Sequence, residues 1–262
     1  MSDAAAGVGM SVSNSRLPDM TVIVTGAGSG IGRATAIAFA QAGAHVLGVG
    51  RREAGLRQTA SEHPAVATFV ADVCADGSPE AIIDEAARRW GRVDVLVNNA
   101  GAAAIVPLAE VTGTGIAELF ALNVTAPSLL ARAALPYLRK VHGSIVNVSS
   151  TFGHRPLAGG SHYAASKSAI EMLTRSWALE LAGDNVRVNA VAPGPTESEA
   201  LAAAGLPPEV VDQIKGEEAD RIPLGRRGRP EEIATWIVHL ADPTSTWLTG
   251  QILAVDGGLE LI

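Results

Sequence analysis

Tyr163 and Lys167 stand four residues apart in a segment of helical period, so their side chains share one face. A lysine cation beside a phenol favours the phenolate and draws its pKa from roughly 10 toward working pH. A phenol so placed can exchange a proton reversibly, which is the work of a general acid and base. The spacing alone arises often by chance in helices, so its weight depends on what surrounds it.

A second cluster lies near the start. Thr25-Gly26-Ala27-Gly28-Ser29-Gly30-Ile31-Gly32 follows a β-branched run and opens directly into a helical segment. Glycines there let the backbone turn tightly and approach a pyrophosphate, which sits against the unpaired N–H groups and positive end of the helix. This predicts a dinucleotide site, although counting from Gly26 puts Ile31 where the last glycine of Gly-x-Gly-x-x-Gly belongs. At the end of the second strand candidate, a carboxylate would bind both ribose hydroxyls and repel a 2′-phosphate. Gly50, Arg51 and Arg52 stand there instead. The planar donor fork of arginine suits phosphate, and two cations near a helix N-terminus are unfavourable without an anion. NADP(H) is therefore favoured over NAD(H), with Arg51 as the first contact. Ser29 in the glycine loop and the nearby Glu53 keep NAD(H) as the alternative.

Short β-branched runs alternate with Ala- and Leu-rich helical segments, the pattern of repeated βαβ units around a parallel sheet. Strands are expected at 21–25, 45–49, 65–71, 93–97, 143–148, 185–191 and 251–255. Helices are expected at 31–42, 53–62, 79–90, 115–138, 161–181 and 230–240. Runs such as Val93-Asp94-Val95-Leu96-Val97 are nearly continuous in apolar residues, as for strands buried on both faces. The expected fold is α/β, a Rossmann-like doubly wound parallel sheet of seven strands with helices on both faces. Between Pro193 and Gly228 five prolines interrupt the rhythm, which marks a substrate lid around residues 195–220, helical from Glu199 to Gly216. Residues 1–18 lack periodicity and read as a mobile tail before a single domain covering 19–262.

The chain has 262 residues, 47% of them hydrophobic, enough for one large α/β domain. Its formal net charge of −7 argues against nucleic-acid or anionic-membrane partners, which call for a basic footprint, and leaves a small-molecule enzyme as the better fit. Cys74 has no second cysteine to pair with, and no leader or uninterrupted membrane-spanning apolar run is recognisable. A cytoplasmic protein is expected. His154 and His162 flank the Ser150–Tyr163 loop without supporting metal-ligand spacing, so no metal is expected; either could line a substrate pocket. Arg226-Arg227-Gly228-Arg229-Pro230-Glu231-Glu232 reads as a loop breaking into a helix rather than as an anion site.

Thr25-Gly-x-x-x-Gly-x-Gly resembles the short-chain dehydrogenase/reductase family, and further elements of its pattern extend along nearly the whole chain. Gly26, Gly30 and Gly32 match the fingerprint glycines. Asn98-Asn99-Ala100-Gly101 is similar to the element that shapes the wall beside adenosine and ribose, and Asp72-Val73 to the pair on the adenine ring. Ser150, thirteen residues before Tyr163 and three before Gly153, matches the catalytic serine that holds the substrate oxygen. Asn123, before Pro127, matches the asparagine that positions a water joining the lysine to solvent. Pro193-Gly194-Pro195-Thr196-Glu197-Ser198 resembles the Pro-Gly element on the nicotinamide, with Ser198 or Thr196 supplying a hydroxyl for its carboxamide.

The resemblance implies hydride transfer between nicotinamide and a carbonyl carbon, with Tyr163 as proton donor, Ser150 polarising the oxygen and Lys167 also binding the nicotinamide ribose. It further implies a homotetramer similar to the 3-oxoacyl-carrier-protein reductases and their relatives. A noncatalytic dinucleotide-binding regulator is the alternative of another class, and the intact Ser150, Tyr163 and Lys167 speak against it. Ala102 to Ala104, Phe152, His154 and Leu157 suggest a neutral or hydrophobic ketone, while Arg155 could recruit an anion.

Overall fold

The computed structural model describes residues 17–198 and 207–262. Seven strands, β1 (Thr21–Thr25), β2 (His45–Gly50), β3 (Val66–Val70), β4 (Val95–Asn98), β5 (Ser144–Val148), β6 (Arg187–Pro193) and β7 (Ile252–Val255), form one parallel sheet in the order β3-β2-β1-β4-β5-β6-β7. Side chains alternate across it. Val22 and Val24 of β1, Val95 and Val97 of β4, and Val146 and Val148 of β5 enter one core, whereas Ile23, Leu96 and Ile145 enter the other. Both faces are thus apolar, as the continuous runs foretold.

Helices α1 (Gly30–Gln41), α2 (Glu53–Glu62) and α8 (Pro230–Ala241) place Phe39, Leu56 and Ile237 in the first core. Helices α3 (Ser78–Trp90), α5 (Ala126–Val141) and α6 (Ser161–Leu181) place Ile82, Leu130 and Ala178 in the second. Helix α4 (Gly113–Phe120) begins two residues before its expected start, because Thr112 Oγ1 accepts a hydrogen bond from Gly115 N–H at 3.1 Å. The strand order reverses between β1 and β4, opening a crevice beyond their carboxyl ends where dinucleotides bind in such sheets.

The expected helix 115–138 is interrupted. Residues Ala121–Thr125 form a π-helical turn between α4 and α5. Pro127, lacking an N–H, cannot serve the Asn123 carbonyl four residues back. The continuous run Gly113–Val141 is long and apolar enough to cross a membrane by composition, contrary to expectation, but α5 packs Leu130, Ala134 and Leu138 into the second core and reads as a core helix.

The tail boundary also shifts. Leu17 is buried and its N–H donates to Ala42 O at 2.7 Å, so the fold already holds residue 17; residues 1–16 lie outside the described part. Of the helix expected at 199–216, residues 199–206 lie outside the described part, and helix α7 runs Pro208–Arg221. It runs five residues past the expected end, and Pro207 and Pro208 set its start.

Candidate active site

The glycine loop joins β1 to α1. Gly26 adopts φ +69°, and a Cβ on Gly32 would collide with the Gly26 carbonyl and the Asn99 side chain. A Cβ on Gly28 would meet only ordinary contacts, which agrees with Gly26, Gly30 and Gly32 as the constrained positions. Ser29 precedes α1 without a side-chain cap, and the first turn holds no acid. Those N–H groups suit an anion. Asn99 fastens β4 to β1: its Nδ2 donates to Thr25 O at 2.8 Å, while Thr25 Oγ1 accepts from the N–H groups of Asn99 and Ala100, both at 3.0 Å.

Gly26, Ser29, Ile31, Gly32, Arg51, Arg52, Asp72, Val73, Asn99, Ala100 and Gly101 line a cavity of about 370 Å³. At its outer end Arg51 lies 3.9 Å from Asp72, and Arg52 Nη2 donates to Ser29 Oγ at 3.2 Å. Glu53, the other candidate for a ribose, is engaged by Arg57 at 2.6 Å. Arg33, which sequence reading passed over, donates to Gly28 O at 2.6 Å and braces the loop. Its position one turn inside α1 was the available signal.

Ser150, Tyr163, Lys167, Pro193, Gly194, Thr196 and Ser198 line a second cavity of about 280 Å³. Ile31, Asn99, Gly101, Thr196 and Ser198 form walls of both, so the two are contiguous. Gly30 lies outside both linings, against Ser198, where an added Cβ would sit 3.6 Å from the Ser198 Cβ. Apart from Gly30 and Asn123, the sequence-predicted residues are therefore brought together along one crevice. The glycine cradle, the uncapped helix end and the two arginines fit a phosphorylated dinucleotide.

At the inner end, Ser150 caps a short turn, Thr151–Gly153, its Oγ accepting from Phe152 N–H at 3.3 Å. Burial raises the Tyr163 phenol above its ordinary pKa, opposed by a hydrogen bond with Ser150. Lys167 is buried, donates to Val148 O at 2.9 Å, and is pushed down to about 8 by that burial. Its Nζ lies 5.9 Å from the Tyr163 ring centroid. The expected lowering of the phenol is thus not what this geometry gives, because desolvation outweighs the hydrogen bond with Ser150. Asn123 is buried behind Gly101: its Oδ1 accepts from Ala102 N–H, and its Nδ2 donates to Ala102 O and Ser166 Oγ, each at 3.0 Å. Its amide fixes the loop beside Lys167.

His154 does not line this cavity. It stands between Glu171 at 3.0 Å and Glu260 at 2.7 Å, and Arg155 is turned to Leu259 O at 2.8 Å. Glu171, one turn beyond Lys167 and buried, also accepts from Ser149 Oγ at 2.9 Å. It was legible only as a third member of the Tyr163–Lys167 helix stripe. His162 borders a separate cavity of about 210 Å³ with Ala104, Val106 and Ile116.

The sequence model of a family described as enoyl-(acyl carrier protein) reductase matches residues 26–260. The chain is 36% identical to the 3-oxoacyl-[acyl-carrier-protein] reductase FabG of Thermotoga maritima, over 94% of this chain and 100% of that one. It is 39% identical to L-xylulose reductase of Mesocricetus auratus, over 90% and 94% of the two chains. A short-chain dehydrogenase/reductase of unknown function from Caenorhabditis elegans, solved with cofactor, superposes with a TM-score of 0.87 at 37% identity, over 94% of this chain and 97% of that one. Sequence and architecture agree over nearly the full length, and the chain belongs to the short-chain dehydrogenase/reductase family of NAD(P)-dependent oxidoreductases acting on alcohol and ketone groups.

Proposed function

We propose that this enzyme interconverts a ketone and a secondary alcohol with NADP(H), Tyr163 acting as general acid and base. The observation that carries the reading is the single crevice running from Arg51 and Arg52 to Ser150, Tyr163 and Lys167. When bound, the nicotinamide supplies or accepts the hydride. The amides around Gly26, Ser29, Gly30, Ile31 and Gly32 hold its pyrophosphate, and Arg51 with Arg52 hold the 2′-phosphate. Asp72 and Val73 flank the adenine, and Asn99, Ala100 and Gly101 form the wall beside the adenosine ribose. Pro193, Gly194, Thr196 and Ser198 orient the nicotinamide.

Ser150 holds the carbonyl oxygen of the substrate, and Tyr163, kept protonated by burial, gives that oxygen its proton. Lys167 binds the nicotinamide ribose and passes protons to the phenol. The Asn123 carbonyl, denied an α-helical donor by Pro127, holds a water leading from Lys167 to solvent. The small side chains Ala102 and Ala103 at the reacting centre suit a neutral ketone. Helix α7 forms the described part of a cover over the substrate, within one domain that begins at residue 17.

A homotetramer is supported by apolar side chains left exposed on α6, Met172 and Leu179, and by Trp247 beside the edge strand β7. Cytoplasmic placement accords with an exposed, unpaired Cys74. Oxidation of NADPH in the presence of ketones tests the reading; preference for NADH would overturn the cofactor assignment and leave the chemistry standing.

A further inference from the structure

Helix α7 buries none of its side chains. Its inward stripe, Val211, Ile214, Lys215, Glu218 and Ala219, is only half-buried and places two charges in the middle of the face turned to the protein. Both are paired. Lys215 Nζ lies 2.7 Å from Glu197 Oε2, and Glu218 Oε2 lies 2.8 Å from Arg227 Nη1. Arg227 Nε reaches Glu197 Oε1 at 3.3 Å, which closes a chain of alternating charge, Lys215, Glu197, Arg227 and Glu218.

Arg227 is the buried centre of that chain, its side chain 7% exposed. Its Nη2 donates to Thr196 O at 2.6 Å. Nε and Nη1 meet the carboxylates at ionic distance without hydrogen-bond alignment, so those contacts act by charge. The backbone beside it is clipped to the same segment: Gly228 N–H donates to Pro195 O at 3.0 Å, and Glu197 N–H to Gly228 O at 2.8 Å. Thr196 and Ser198 of that segment face both cavities of the crevice. A buried guanidinium in a region of low dielectric is screened far less by salt than a surface pair, and a helix whose apolar side chains are only half-buried leans on it.

We infer that Arg227 is a positioning residue that latches α7 to the Thr196–Ser198 segment, so that seating of the helix and placement of the cofactor-facing segment occur together. This rests on the proposed function, in which that segment orients the nicotinamide. Ligand binding that orders the segment then orders α7 through Arg227, and loss of the guanidinium removes binding common to ground and transition states rather than a step in the chemistry.

The test compares wild type with Arg227→Met, Glu218→Gln and the double variant, reading NADPH affinity, kcat and KM, and amide exchange of α7 with and without NADPH. Arg227→Met is expected to raise KM for cofactor and ketone about tenfold with kcat within about twofold, the loss of one charge-assisted contact. NADPH is expected to protect the α7 amides in wild type and not in this variant. Glu218→Gln is expected to move both readouts the same way by less, and the double variant to be no worse than Arg227→Met. Unchanged affinity and unchanged NADPH-linked protection in either folded single variant overturns the latch alone. If Arg227→Met does not fold, Glu218→Gln decides by the same readouts. Wild type that binds neither NADPH nor NADH overturns the proposed function and the latch with it.

Discussion

Tyr163 and Lys167 show why a spacing in sequence does not fix an ionisation state. The helix brings them together as four-residue spacing requires, but burial drives each toward its neutral form. A protonated phenol suits reduction, where it must give a proton. The proposed cofactor choice likewise rests on single positions. An added Cβ on Gly50 would meet only Leu56, at 3.5 Å or more, so Gly50→Asp can be accommodated at the ribose. Combined with Arg51→Ala it is expected to reverse the preference from NADPH to NADH, with NADPH affinity falling about tenfold to a hundredfold for lost charge-assisted contacts. Titration of both cofactors checks this; unchanged NADPH affinity would remove the arginines from the phosphate site.

At the scale of elements, Gly32→Ala forces α1 away from the glycine loop at Gly26 and from Asn99, which meet over that glycine. The variant is expected to lose about 1–3 kcal/mol of stability, a fall in Tm of about 2–4 °C per kcal/mol, together with cofactor binding. Melting curves with and without NADPH measure both. His154 fastens the C-terminal turn to α6 between Glu171 and Glu260. Burial disfavours its charge, yet the hydrogen bonds and charges of the two glutamates prevail and raise its pKa above 6.5. Its stabilising contribution is therefore full below pH 6.5 and is lost as pH rises through the folded value, when one imidazole N–H remains for two carboxylates. His154→Gln should lower Tm at pH 6 by about 2–4 °C, for about 1 kcal/mol, and by less at pH 9. A pH-independent difference would rule the clamp out. This contact was illegible in sequence, where His154 read as a pocket residue, because Glu260 is 106 residues away and is delivered only by the end of β7. The π-helical turn was hidden for a related reason: its apolar stripe continues the helical period, and only Pro127 marks the break.

The whole molecule was the more legible level. Seven parallel strands and the helices between them followed from runs of Val, Ile and Leu, because a sheet covered on both faces needs apolar residues throughout. Strand ends shifted by a residue or two, and α7 ran past its expected end, since a helix held by ion pairs carries little apolar period. The proposed assembly rests on what the fold leaves uncovered. Met172 and Leu179 lie seven residues apart on α6, 59% and 84% exposed. The wild type is expected to sediment as four chains and Leu179→Glu as fewer; a monomeric wild type would contradict the tetramer.

The central claim, proton transfer by Tyr163 to a carbonyl at the end of the cofactor crevice, is tested most directly by oxidation of NADPH, with NADH in parallel, against a panel of neutral ketones. Wild type is expected to turn over with NADPH. Tyr163→Phe is expected to keep NADPH affinity while losing about 10²–10⁴-fold in kcat, the usual contribution of a positioned acid. A Tyr163→Phe enzyme as fast as wild type would contradict the account.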